Sequence, residues 1–315
     1  MYSLLSGHWL VLTLITVFLY GIGDGLYKQF VEHISPPRFC LYSVPVAAVV
    51  YITFFLTHDH PPPLAPEGRL FLYCATLANL VEGIAVILYY ESLKGGLVSI
   101  VGPITAASPA VTVVLAYFFL EELLTPAQYG GVVLVIGGCL GIAYEPHDPP
   151  AGAPGSTRAG PEGEPPGGPG RGKKAVKQLW FLQAVLSVFG WGIGATLMKY
   201  SYQLPNANEA NIMLFRVFTV ALTLGVYGLL REREWRFTAR EAARAVVPLA
   251  MFSIGNSMLI TAYKWGPASL VMPLLSASIP VTLVYAFFIL RERLTRLQWV
   301  CITLAFTGML LCSTP

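Results

Sequence analysis

Charge is what this sequence has least of. Asp, Glu, Lys and Arg make up 12% of its 315 residues, against 55% hydrophobic. A soluble domain carries roughly a quarter charged residues, so the deficit excludes a fold that must coat itself in polar side chains. Cysteine is sparse and unpatterned: Cys40, Cys74, Cys139, Cys301 and Cys312 all fall inside apolar runs. None has C-x-x-C or His-ligand spacing, so neither a disulfide framework nor a zinc site is indicated. The sequence has no N-x-S/T sequon, no phosphate-binding glycine loop and no His-Glu metalloprotease pattern. No Lys or Arg precedes the first apolar run and no small-residue cleavage site follows it. That run therefore reads as a retained helix rather than a signal peptide. No cofactor is expected.

What the sequence has instead is long apolar blocks. A helix crosses the hydrocarbon with about 20 residues, and ten blocks approach or reach that length: His8–Leu26, Arg38–Leu56, Leu70–Tyr90, Leu97–Leu120, Gln128–Tyr144, Leu179–Tyr200, Ala210–Leu230, Val246–Tyr263, Leu270–Leu290 and Gln298–Cys312. Barrel strands are shorter and alternate in polarity, so a β-barrel is excluded. The expected fold is all-α integral membrane, with ten transmembrane helices. Pro61-Pro62-Pro63, Gly95-Gly96 and Gly266-Pro267 mark some of the short connections. From 145 to 177 the chain is rich in Pro, Gly and charge, with almost no large apolar residue. Such a stretch buries too little to order itself and reads as a flexible tether.

The tether separates two copies of one pattern. A gapless shift of 170 positions lays Lys94–Leu140 on Lys264–Leu310 and matches 20 of 47 residues. Among the matches are Gly96/Gly266, Ser99/Ser269, Pro103/Pro273, Ser108/Ser278, Thr112/Thr282, Glu122/Glu292, Thr125/Thr295 and Gln128/Gln298. Shared hydrophobicity does not explain matching prolines and polar residues. The expected domains are thus 1–144 and 178–315, five helices each, joined by the tether 145–177. Five crossings are an odd number, so the second copy enters from the opposite face. Such inverted repeats hold a binding site near the bilayer midplane and expose it alternately to each side.

Tyr90-Glu91-Ser92-Leu93-Lys94-Gly95-Gly96 leads into the span holding Pro103, which closes on Leu120-Glu121-Glu122-Leu123-Leu124-Thr125 and Gln128. The second copy reads Tyr263-Lys264-Trp265-Gly266, Pro273, Leu290-Arg291-Glu292-Arg293-Leu294-Thr295 and Gln298. This doubled pattern resembles the EamA family of the drug/metabolite transporter superfamily, as does Trp191-Gly192 in the sixth span. Tyr20-Gly21-Ile22-Gly23-Asp24-Gly25 departs from it, standing where the family commonly has Trp-Gly. The resemblance covers all but the tether. It implies a transporter, in a family whose members export amino acids or other metabolites, exchange sugar phosphates or have no known substrate. It also implies a pathway lined by helices one, three, four, six, eight and nine, and it puts Trp191 on that pathway.

Polar residues inside the spans are the candidates for the site. Glu82 lies near the middle of span three, where a carboxylate costs several kcal/mol unless it meets water or a partner. It is either a proton-coupling acid or a structural hydrogen-bonding one. Asn79, three residues earlier, shares its face. Arg216 sits some six residues into span seven. It either snorkels to the near interface or anchors an anionic group or Glu82. Depth counted at 1.5 Å per residue separates it from Glu82 by about 10 Å and does not favour direct pairing. Span eight carries Ser253, Asn256, Ser257, Thr261 and Lys264 on one broad face. Ser108/Thr112 and Ser278/Thr282 form repeated i, i+4 stripes in spans four and nine. These small polar residues either hydrogen-bond a substrate or let helices pack closely. Pro103, Pro109, Pro273 and Pro280 free backbone carbonyls, for a substrate or merely for a kink. Asp24 and Lys28 read as an i, i+4 pair near the interface, and Glu122 and Glu292 as anchors at helix ends.

These residues are scattered singly, without the convergent acid, base, nucleophile or metal set of an enzyme. The sequence holds no nucleotide-binding module, so the expected function is a secondary transporter of a small metabolite, possible proton coupling included. A non-transport polytopic protein, an intramembrane enzyme or a regulator, is the alternative. The expected partners are the small-molecule substrate and the lipid bilayer, with no nucleic acid and a homodimer left open. The expected location is multi-pass in the plasma (inner) membrane. Sixteen Lys and Arg fall in odd-numbered loops, three in even-numbered loops and Arg216 within a span. The positive-inside rule then places both termini outside and the tether in the cytoplasm, whereas the resemblance implies cytoplasmic termini. The charges are followed here.

Overall fold

In hydrocarbon no water satisfies backbone polar groups, so a chain this apolar must satisfy them within its own helices. The computed structural model describes residues 8–30, 34–95, 101, 104–144, 171–232, 238–291 and 294–314. Within them the protein is helical and has no strand. The helices are α1 (His8–Phe30), α2 (Pro36–Thr57), α3 (Arg69–Gly95), α4 (Ser108–Phe119), α5 (Pro126–Tyr144) and α6 (Arg171–Ser201), then α7 (Glu209–Arg231), α8 (Ala239–Trp265) and α9 (Ala268–Phe288), and α10 (Arg296–Cys312). Among these, seven are long and apolar enough to cross a membrane, while α4, α5 and α10 are shorter apolar helices. The protein is an integral multi-pass membrane protein. Its outer surface fits that medium, with Val49, Phe118, Leu123 and Leu230 exposed.

Polar residues set the helix ends. Ser35 caps α2, followed by Pro36 and Pro37, whose missing N–H groups cost nothing in a first turn. Asn208 accepts from Asn211 N at the start of α7, and Thr238 from Glu241 N at the start of α8. The repeated Thr/Gln pairs are capping boxes. Thr125 Oγ1 accepts from Gln128 N while Gln128 Oε1 accepts from Thr125 N. Thr295 and Gln298 do the same. Just before them, Glu121 and Arg291, also 170 positions apart, adopt φ of 55° and 57°. The chain leaves α4 and α9 through the same left-handed turn.

The other repeated feature is a break. α9 is interrupted at Ala277, between Ala268–Ser276 and Ser278–Phe288. α4 begins just after Ala107, which holds the same conformation. Pro280 has no N–H for the Ser276 carbonyl, which instead accepts from the Cys139 thiol at 3.3 Å. That freed carbonyl is used within the protein. Leu270–Leu290 is expected as one span, and Ala268–Phe288 keeps the length and apolarity of one crossing. A helix break at Ala277, and at Ala107 in the expected span Leu97–Leu120, is what the structure adds.

Helix packing follows a twofold pattern. α3 packs on α6 as α1 packs on α8; α4 packs on α6 as α9 packs on α1; α3 packs on α7 as α8 packs on α2. The pairs α2/α7, α4/α9 and α5/α10 map onto themselves when each helix is exchanged with the one five places away. Within the stretch expected as a tether, α6 already begins at Arg171, and residues 145–170 lie outside the described residues. So do Gly96, Ser99, Pro103, Glu292, Arg293 and Pro315, and the side chains of Lys28 and Lys94.

Candidate functional site: a central cavity

Between the two halves lies a cavity of about 480 Å3. Glu82 and Asn79 of α3, Arg216 of α7, Ser253 and Asn256 of α8 and Trp191 of α6 line it. So do Ser108 and Ser278, each the first residue after a helix break. Thr112 and Thr282 do not line it. Thr112 is fully buried, its hydroxyl without a partner among the described residues. Thr282 donates to the Gly21 and Ser278 carbonyls, tying α9 to α1.

Arg216 points into the protein. It is 6% exposed, its Nη1 donates to Glu82 Oε2 at 3.0 Å and to Asn79 Oδ1, and its guanidinium lies 6.0 Å from the centre of the Tyr51 ring. The snorkelling alternative and the expectation against direct pairing are both corrected. The depth count itself was sound. A Cβ on Gly83 of α3 would lie 2.5 Å from Thr223 Oγ1 of α7, and Thr223 is seven residues beyond Arg216, about 10 Å along the axis. Side chains close that gap. α3 and α7 run in the same direction, and helical side chains lean towards the N-terminus. Glu82 therefore leans back towards Arg216, whose own reach completes the bridge. The neighbouring stretch Ala221–Gly225 of α7 is π-helical, and Thr223 and Leu224 within it also line the cavity.

The polar cluster is incomplete. Asn79 Nδ2, Arg216 Nε and Asn256 Oδ1 are buried and find no hydrogen-bond partner among the described residues. Buried polar atoms are ordinarily partnered; these two donors and one acceptor belong to three residues that line the cavity. Other residues of the α8 face are spent in the scaffold. Ser257 donates to the Ser253 carbonyl and Thr261 to the Ser257 carbonyl. Lys264 Nζ donates to Glu209 Oε2 at 2.7 Å.

The ends of the bundle are tied across the halves. At one, Glu122 of the first half accepts from Ala268 N at 2.9 Å, Ser269 N at 2.8 Å and Ser269 Oγ at 2.6 Å, capping α9. At the other, Arg38 pairs with Glu232 and Glu241, and Ser35 donates to Glu232.

Sequence reasoning missed part of the lining. Asp24, read as an interfacial partner of Lys28, lines the cavity, as do Tyr20, Tyr51, Tyr89 and Tyr90. The signal was the i, i+4 spacing of Tyr20 and Asp24, which puts both on one face of α1. Tyr51 shows no sequence cue. The cavity also takes residues from α2 and α7, beyond the helices implied by the family resemblance.

The sequence matches the EamA-like transporter family over residues 7–144 and again over 178–314. The chain belongs to that family. It is 30% identical over 131 residues to an uncharacterized protein of Methanocaldococcus jannaschii. That alignment spans 42% of this chain and 93% of the relative, which is therefore about as long as one half. A solved crystal structure superposes with a TM-score of 0.71 at 15% identity, covering 97% of this chain and 96% of that one. It is similar in fold.

Proposed function

We propose that this protein is a secondary transporter that carries a small polar metabolite, an amino acid or a solute of similar polarity, by alternating access of the central cavity. The observation that carries the reading is the set of unpartnered buried polar atoms, Asn79 Nδ2, Arg216 Nε and Asn256 Oδ1, on residues that line one cavity with the Arg216–Glu82 pair. Desolvated polar atoms in a bilayer are costly unless function retains them, and a cavity of about 480 Å3 suits a small solute. Family members are transporters rather than enzymes, which supports the same reading.

The architecture proposed with it is ten membrane-crossing helices as two inverted five-helix repeats in the plasma (inner) membrane. The sequence match at 170 positions, the twin capping boxes and left-handed turns, and the exchange symmetry of helix packing support it. Two such halves can rock about a shared site.

Glu82 is proposed to couple transport to protons by exchanging its bond to Arg216 for a proton. The test starts from metabolite profiles of cells with and without the protein. Solutes that differ are then measured in proteoliposome counterflow, with Glu82→Gln in parallel. Glu82→Gln is expected to abolish pH-driven flux. A variant that transports at the normal rate with normal pH dependence refutes coupling through Glu82, and no flux of any candidate solute refutes the transport reading.

A further inference from the structure

Among the described side chains, the charges of the cavity do not balance. Asp24, Glu82 and Arg216 are the charged residues among those lining it. Glu82 and Arg216 neutralise each other at 3.0 Å, which leaves Asp24 as the excess charge among the described side chains of the wall. Asp24 is open to the cavity, and among the described residues no side chain bonds to or pairs with it. It stands one helical turn from Tyr20, whose ring packs edge-on against Phe252. The same cavity is walled by Tyr89, Tyr90 and Trp191, with the Tyr89 ring centre 5.6 Å from those of both Tyr90 and Trp191.

From this geometry we infer that the cavity is a site for an organic monocation, an alkyl- or arylammonium solute whose charged head meets Asp24 while its apolar body lies against the aromatic wall. A lone carboxylate in a confined space attracts one positive charge. Aromatic faces add cation–π and dispersion attraction that an inorganic ion cannot use in full. A small hard cation needs six or more oxygens at short range, and the described residues hold no cluster of three or more metal-ligating side chains. An anion would face the Asp24 carboxylate, with the Arg216 charge already paired to Glu82. The inference specifies the substrate class of the transport reading and rests on it, but its test is equilibrium binding and does not require flux.

The probes are benzylammonium, benzyl alcohol and benzoate, which share a ring and differ in charge. Each is titrated by calorimetry into the purified full chain in detergent, with empty micelles as the blank. Benzylammonium is expected to bind saturably, with the alcohol and benzoate about tenfold or more weaker, the scale of one charge-assisted contact. Asp24→Asn is expected to erase that ranking, and Asp24→Glu, which keeps the charge, to restore it. Equal binding of the three probes, or preference for benzoate, overturns the inference. So does an unchanged ranking in a folded Asp24→Asn, the result expected if Asp24 served only Lys28. Ammonium binding without flux of any solute would sustain this site and refute transport. Flux of neutral or anionic solutes without ammonium binding would do the reverse.

Discussion

Arg216 is the most strongly committed side chain of the site, because its charge is buried and both polar groups that hold it come from α3. Removing one member of a buried ion pair leaves the other uncompensated and costs about 3 kcal/mol or more. The Glu82 side chain is 30% exposed to the cavity, which puts Glu82→Ala at or below that figure. Glu82→Ala and Arg216→Ala are each expected to lower the thermal unfolding midpoint in detergent. The double variant should lose less than the sum, with a coupling energy of about 1–3 kcal/mol. Additive losses in that cycle would mean the pair contributes no interaction. The sequence drew attention to Glu82, Asn79 and Arg216 because polar groups stand out in apolar spans. It did not pair the ions, because depth counting follows the backbone while the bond is made by the lean and reach of side chains.

Helices meet here through small residues rather than through polar seams. α5 and α10 approach so closely that a Cβ on Gly308 would lie 2.6 Å from the Gly131 carbonyl, and one on Gly131 would lie 2.7 Å from the Gly308 carbonyl. Between lipid-immersed helices such close packing replaces the hydrophobic drive that water supplies elsewhere. Gly308→Leu is expected to force the two helices apart and cost about 1–3 kcal/mol. Gly137→Leu, with nothing within 4 Å of its added Cβ, is expected to be tolerated. Thermal unfolding monitored by size-exclusion recovery separates the two, and equal losses would show that the α5/α10 contact is not the cause. Element ends were legible in the sequence where caps mark them, as at Thr125, Thr295 and Asn208. The helix break at Ala277 was foreshadowed by Pro273 and Pro280, but its place was not, since a proline frees a carbonyl without fixing where the chain bends.

For the whole molecule the open variable is the direction of insertion, since either orientation fits a bundle whose halves pack symmetrically. The uneven distribution of Lys and Arg predicts that a reporter at Pro315 lies outside and one inserted near Gly160 lies in the cytoplasm. Protease protection or thiol labelling of intact cells reads this directly. The opposite labelling would show that the habit implied by the family outweighs the charge count. Odd-numbered loops also hold the charged end at Arg38, Glu232 and Glu241, so the same labelling assigns a side to each tied end of the cavity.

The sequence by itself determined the class of the protein. Scarce charge and long apolar blocks require helices in a bilayer, because each helix satisfies its own backbone, and the 170-position match requires a duplicated unit, because register survives in prolines and polar residues. The sequence also supplied Asn79, Glu82, Arg216, Ser253, Asn256, Ser108 and Ser278 of the cavity lining, since an uncompensated polar group in a span has few places to go. Only the tertiary structure decided which of them meet. Thr112 and Thr282 lie off the cavity while Ser108 and Ser278, one turn away, line it. Asp24 left the interface for the cavity, and the tyrosines joined it. Such choices depend on helix rotation and tilt, which are set by long-range contacts between the halves and carry no periodic signal along the chain.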